Sequence, residues 1–190
     1  VYFKNEEGRY KEAGNIKNAV PFLHQDPDSD EILGQCEESG RDQGHATLCV
    51  SLMGAFCQMA YSIGEDLFAF DNYRAVAMAE YVGKYNLIKD EAFNKGTLVG
   101  DDFVYDSNSF PYTSYSNPSY TNTTISTDQR GTKRPAWELF YGYCKAKGIS
   151  SIYSGKWAEQ MRPDGGGGNY GPNSGGFDQL GFGTLMYYRE

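Results

Sequence analysis

No run of eighteen or more apolar residues occurs in these 190 residues, so no segment reads as a membrane-spanning helix. No block of basic residues occurs either. The 17 Lys and Arg are outnumbered by 25 Asp and Glu, giving a net charge of −8 and a pI near 4.8. Nucleic acid is therefore excluded as an expected partner, because phosphate neutralisation needs clustered cations. The four cysteines (Cys36, Cys49, Cys57 and Cys144) form no CxxC pair and no metal-like spacing, which argues against a zinc site. Cys49 and Cys57 lie roughly 12 Å apart along one expected helix, too far to bridge each other. Buried thiols are the default, and a disulfide from Cys36 or Cys144 stays open. GxSxG is missing, which argues against a seryl hydrolase. Gly165-Gly166-Gly167-Gly168 is followed by no Lys-Ser/Thr and reads as a flexible turn, not a phosphate cradle. The opening Val1-Tyr2-Phe3-Lys4-Asn5-Glu6-Glu7 is no signal peptide, so a mature or truncated chain is expected.

What is present indicates one globular domain spanning residues 1–190, with 39% hydrophobic and 22% charged residues. Sixteen tyrosines offer apolar faces with hydroxyl tips, suited to sugar stacking as well as to helix packing. Residues 1–43 promise little regular structure beyond a short helix or turn around Lys11–Ala19. From Gly44 onward Leu48, Leu52, Ala55, Phe56, Met59 and Ala60 recur at helical steps, with Asp42 placed to cap and Gly64 to terminate. A second helix is expected over about Asn72–Tyr85, then a long polar loop over 86–131, the kind that in a compact domain usually serves function. Within it Asn122-Thr123-Thr124 matches a glycosylation sequon. A third helix should start at Pro135 and run to about Lys147, a shorter one should cover Lys156–Met161, and the tail should end in a strand or extended segment. The class is mainly α, with antiparallel helical hairpins joined by long loops.

The densest chemistry lies in Glu38-Ser39-Gly40-Arg41-Asp42-Gln43-Gly44-His45, directly ahead of the first long helix. Six of these eight side chains donate, accept or transfer protons, and two glycines allow tight turning among them. His45 is one of only two histidines. The other, His24, reads as mostly structural.

This octapeptide running into a helix resembles the signature of alginate-lyase-like polysaccharide lyases built as α/α toroids. Further segments agree in order: Asp66-Leu67-Phe68 with Asp71-Asn72, Glu80-Tyr81, Lys84-Tyr85-Asn86-Leu87, Arg134-Pro135-Ala136-Trp137-Glu138-Leu139-Phe140-Tyr141, Arg162-Pro163-Asp164-Gly165-Gly166 and Asp178-Gln179-Leu180-Gly181-Phe182-Gly183-Thr184-Leu185. The similarity is collinear over roughly residues 36–188, and the octapeptide is its specific part. The helical hairpins that normally precede the octapeptide in such a toroid are missing, so the chain resembles the C-terminal half of one. The resemblance therefore implies an incomplete α/α toroid, with a possible missing N-terminal polypeptide or second chain to complete it.

The activity implied is β-elimination on a uronic-acid polysaccharide of alginate or glucuronan type, in a secreted or extracytoplasmic setting. Elimination needs the carboxylate neutralised, the neighbouring proton taken, and a proton given to the leaving oxygen. Side chains can do all three, so no metal or organic cofactor is expected, and the partner is an acidic polysaccharide, with neither nucleic acid nor membrane. His45 is the candidate neutraliser or base, and Tyr141 the candidate base and acid, with Tyr143 as its competitor. Arg134, seven residues before Tyr141, would share its helical face and lower its pKa. Arg130 and Arg134 would form the local basic pocket that an acidic chain needs. Gln43, Arg41 and Glu38 are candidates for substrate contact or for supporting His45, with Asn72 and Tyr85 as further candidates. Two other classes fit parts of the pattern. One is a glycoside hydrolase using Glu38 and Asp42 as paired carboxylates, the other a carbohydrate-binding module without turnover.

Overall fold

The computed structural model describes residues 16–116 and 121–161. The expected C-terminal strand, the glycine run and the segments 162–166 and 178–185 lie outside them, as does most of the first short helix or turn. Its last part is present as α1 (Ile16–Ala19). An antiparallel hairpin follows, β1 (Phe22–Gln25) against β2 (Ile32–Gln35), with Phe22 opposite Gln35. The sequence reading missed this hairpin. Its signal was two short apolar runs flanking Asp26-Pro27-Asp28-Ser29-Asp30, where Asp26 accepts from the Asp28 amide (2.9 Å) and the Ser29 hydroxyl (2.8 Å) to close the turn.

The architecture is mostly helical. A 3-10 turn (Glu37–Gly40) leads into α2 (Gln43–Ser62), which packs antiparallel to α3 (Phe70–Asn86). The long loop contains two more 3-10 turns, Asp90–Ala92 and Gly100–Asp102, and the short hairpin β3 (Tyr115–Ser116) with β4 (Thr121–Asn122). Phe103, Phe110 and Ile125 from this loop are buried, so much of it packs on the body of the protein. The chain then enters α4 (Trp137–Lys147) and α5 (Ile152–Met161). Gly148 ends α4 in the left-handed conformation (φ 68°), which only glycine adopts at little cost.

Helix α3 is central. It touches α1, α2, α4, α5 and β2, and every residue from Ala75 to Asn86 is buried. Gly34 of β2 meets α3 so closely that an added Cβ would stand 2.9 Å from the Met78 nitrogen. Trp137 and Trp157 stack at 5.2 Å between α4 and α5, while Phe68 stacks on Tyr143 at 4.3 Å. Glu80, buried on α3, accepts from the amides of Tyr153 (2.8 Å) and Ser154 (2.9 Å). This carboxylate satisfies the orphan donors of α5 from another helix, and α5 starts a full turn before Lys156, where the sequence placed it.

Two expectations are corrected. The stripe Leu48, Leu52, Ala55, Phe56 and Met59 does not face the core of α2. The buried face is Ala46, Thr47, Val50, Ser51, Met53, Gly54 and Cys57. Small residues win there because α4 approaches closely, and a Cβ on Gly54 would stand 2.8 Å from the Phe140 ring. Arg134 is not on the helix of Tyr141 either, since α4 begins at Trp137 after a turn closed by the Ala136 amide on the Arg134 carbonyl (2.9 Å). The argument from two helical turns on one face therefore fails.

Candidate functional site

Asp42 caps α2 as its sequence position suggested. Its Oδ1 accepts from the His45 amide at 2.8 Å, the N-terminal bond that Asp supplies so well. Its Oδ2 lies 2.6 Å from His45 Nδ1. A carboxylate only accepts, so Nδ1 carries a hydrogen toward it, and in the neutral ring the lone pair is then on Nε2. Asp42 is buried, whereas the His45 side chain is 40% exposed. One short i, i+3 unit thus builds the helix start and orients an imidazole toward solvent. Arg41 sits beside it, with Nε 3.5 Å from Asp42 Oδ2 and Nη1 3.4 Å from Glu38 Oε2. The octapeptide therefore brings Glu38, Arg41, Asp42 and His45 into one chain of contacts.

Gln43 has a different place from the one expected of a substrate-binding amide. It is buried, and its Nε2 donates to the carbonyls of Ser39 (2.9 Å) and Ser126 (3.0 Å). Its Oε1 accepts from Asn86 Nδ2 (2.9 Å), and Asn86 Oδ1 accepts from the Gly131 amide (2.9 Å). This amide relay ties the octapeptide to the end of α3 and to the loop over 126–131. The loop also lies across the start of α2, where the Gln43 amide donates to the Asp128 carbonyl (2.8 Å). The Gln129 side chain lies over Gly44, where an added Cβ would meet its oxygen at 2.2 Å and push that side chain aside. Sequence reasoning missed Asn86 and Gln129, and the only available signal was Asn86 lying within Lys84-Tyr85-Asn86-Leu87.

Arg130 is a packing cation in this arrangement. Its Nε donates to the Tyr85 carbonyl (2.8 Å) and its Nη2 to the Tyr105 carbonyl (2.7 Å), with the guanidinium 4.0 Å from the Tyr85 ring centre and 4.2 Å from that of Phe103. Burial pulls its pKa down. Tyr85 is fully buried beneath it, and burial raises its phenol. Asn72 is exposed, in a left-handed stretch with Asp71 and Tyr73, at the end of the α2–α3 hairpin opposite to His45. Neither Tyr85 nor Asn72 joins the octapeptide cluster.

Tyr141 is half-buried on the α5 side of α4, its ring 3.1 Å from where a Gly155 Cβ would stand. Helix α2 instead meets α4 through Leu139 and Phe140. Tyr141 is thus turned toward α5, while His45 stands at the far N-terminal end of α2. Tyr143 donates to Asp66 Oδ2 (3.0 Å), and burial followed by that carboxylate pushes its phenol well above the ordinary range. His24 Nε2 bonds Gln35 Oε1 at 2.9 Å and its ring stacks on Tyr81, a structural placement.

A cavity of about 750 Å³ opens beside the site. Gln129, which covers Gly44, lines it, together with Arg130, Thr132, Lys133, Lys95 and Thr127. Lys95 pairs with Asp102 at 2.5 Å, and Lys133 lies 3.9 Å over the Phe93 ring. Among the described residues, no three His, Cys, Asp or Glu side chains converge as a metal site, and no helix is long and apolar enough to cross a membrane.

Comparison with known proteins adds no relative. No family model, no curated protein and no solved structure matches this chain.

Proposed function

We propose that this chain is a polysaccharide lyase that cleaves a uronic-acid polymer, of alginate or glucuronan type, by β-elimination. One observation carries the reading: the half-exposed His45, held at 2.6 Å by the buried Asp42 with its second ring nitrogen available. A carboxylate-oriented imidazole is a general base near neutral pH. In elimination, Nε2 would take the proton beside the uronate carboxylate, the electron pair would form the C4–C5 double bond, and the 4-linked oxygen would leave with a proton. Arg41, exposed next to Asp42, supplies positive charge for the substrate carboxylate, and the cavity bordered by Lys95, Arg130 and Lys133 extends that potential. Gln43 and Asn86 hold the loops in register. The Tyr141 phenol as acid to the leaving oxygen and the Arg134 guanidinium as carboxylate partner complete the proposal and are tested by substitution.

The incomplete toroid belongs to the same proposal. The outer face of α2 leaves Leu52, Met59 and Ile63 exposed at 57%, 63% and 81%. An apolar stripe of this kind along a helix suits a further helical layer, supplied by another polypeptide or a second chain. The hydrolase alternative is the weaker one, because both oxygens of Asp42 are engaged by His45 and leave no free carboxylate to pair with Glu38.

The test is incubation of the purified chain with alginate and with glucuronan, following the ultraviolet absorbance of the unsaturated uronate end. His45→Ala should lower the rate about 100-fold or more. Tyr141→Phe should abolish turnover while affinity stays within a few-fold, and an unchanged rate would remove Tyr141 from the mechanism. Release of reducing ends with no unsaturated product would sink elimination in favour of hydrolysis.

A further inference from the structure

We infer that the cavity of about 750 Å³ beside the octapeptide seats a further acidic sugar of the polymer, its carboxylate held by Arg130 and Lys133. The inference rests on the proposed function for the identity of the polymer, and on charge and geometry for the site. In a chain of net charge −8, this cavity is lined by Lys95, Arg130 and Lys133 and by no Asp or Glu. Lys95 is neutralised by Asp102. Arg130 and Lys133 are not. Arg130 gives two of its five N–H groups to the carbonyls of Tyr85 and Tyr105, and Lys133 gives one of its three to that of Phe93. Carbonyls satisfy donors without cancelling charge, and among the described residues neither cation has a carboxylate in ion-pair contact. Asp106, whose charge acts on Arg130, lines an adjoining cavity of about 390 Å³ that Arg130 also borders.

The rest of the wall suits a sugar better than a bare anion. Thr127, Thr132 and Gln129 offer hydroxyl and amide groups to ring hydroxyls, and Phe103 adds apolar surface. Gln129 also sets the cavity in place. Its backbone is left-handed (φ 56°), a conformation that costs a residue with a Cβ, and Gly131 is left-handed as well (φ 82°). This bend lays the Gln129 side chain over Gly44, next in sequence to His45, while Arg130 turns inward onto the Tyr85 ring. The cavity therefore borders the start of α2, the placement that a sugar next to the one at His45 needs.

The experiment is titration calorimetry on the full chain carrying His45→Ala, so that the probe is not consumed. The probes are a β-1,4-linked mannuronate tetrasaccharide, its neutral carboxyl-reduced counterpart and a sulfated form of that neutral sugar. The mannuronate should bind tightest. Lys133→Met, which keeps an apolar stem over the Phe93 ring, should weaken it about 10-fold without changing Tm, and Lys133→Arg should retain it. Lys156→Ala removes one charge from a separate cavity of about 660 Å³ and should leave the affinity unchanged. Equal losses for Lys133→Met and Lys156→Ala would overturn the inference, since net charge alone would then explain binding. Equal affinity for the neutral sugar, or tighter binding of the sulfated one, would overturn the carboxylate assignment. The expected binding pattern with no unsaturated product from the unmodified chain would refute the lyase reaction and uphold this site.

Discussion

Replacing Asp42 separates two jobs that one carboxylate performs. Asp42→Ala removes the acceptor for the His45 amide and the partner of His45 Nδ1. A lost N-cap costs about 1 kcal/mol. The second bond, to a half-exposed imidazole, adds about 1 kcal/mol more after allowance for solvent. For a chain of this size each kcal/mol moves Tm by about 2–4 °C, so Asp42→Ala should lose about 6 °C by calorimetry. Asp42→Asn keeps an oxygen for the amide and should lose about 2 °C or less. Its NH₂ then faces Nδ1, which must become the acceptor, so Nε2 takes the hydrogen and stops being a base. Elimination by Asp42→Asn should therefore fall about 100-fold although the protein stays folded. Equal Tm losses for the two variants would refute the cap argument. Full turnover by Asp42→Asn would refute the orienting role of the carboxylate.

Lys84 is buried against Asp26 and bonds Asp28 Oδ2 at 2.6 Å, so Lys84→Met should cost about 3–5 kcal/mol, read by urea unfolding, by stranding a buried carboxylate. Burial works to raise the Asp26 pKa, but Lys84, Tyr153, the Asp28 amide and Ser29 together hold it below its ordinary 3.8. A depressed carboxylate stabilises the fold above its unfolded pKa and loses that contribution as pH falls through the folded value. Tm should thus drop below about pH 4, and Asp26→Asn should flatten that acid limb. Gly54→Ala gains helix propensity but drives a methyl into the Phe140 ring, so chemical denaturation should show a net loss of about 1–2 kcal/mol.

The start of α2 was legible because its cap, its glycine and its histidine are adjacent in sequence, and local hydrogen bonding decides them. Helix α4 was expected to start at Pro135 but begins at Trp137 after a tight turn, with no side-chain cap to announce it. The buried face of α2 was not legible, since hydrophobic size pointed to Leu52 and Met59 while the core selected Gly54, Ser51 and Ala46 for closeness of approach. The early start of α5 was hidden because its cap, Glu80, comes from another helix. At the site, Asp42 with His45 could be read from spacing. The fates of Gln43, Arg130 and Tyr85 could not, because each is fixed by partners more than forty residues away. A polar side chain in a motif has two destinations, solvent or an internal carbonyl, and only the fold chooses between them.

The enclosure of α3 sets how the molecule comes apart. Among the described residues every other α-helix leans on it, so none can detach and leave α3 dry, and its amides should exchange with deuterium only on global unfolding. The outward ridge of α2, where Leu52, Met59 and Ile63 stand exposed, should exchange first, through small openings that leave this central rod in place.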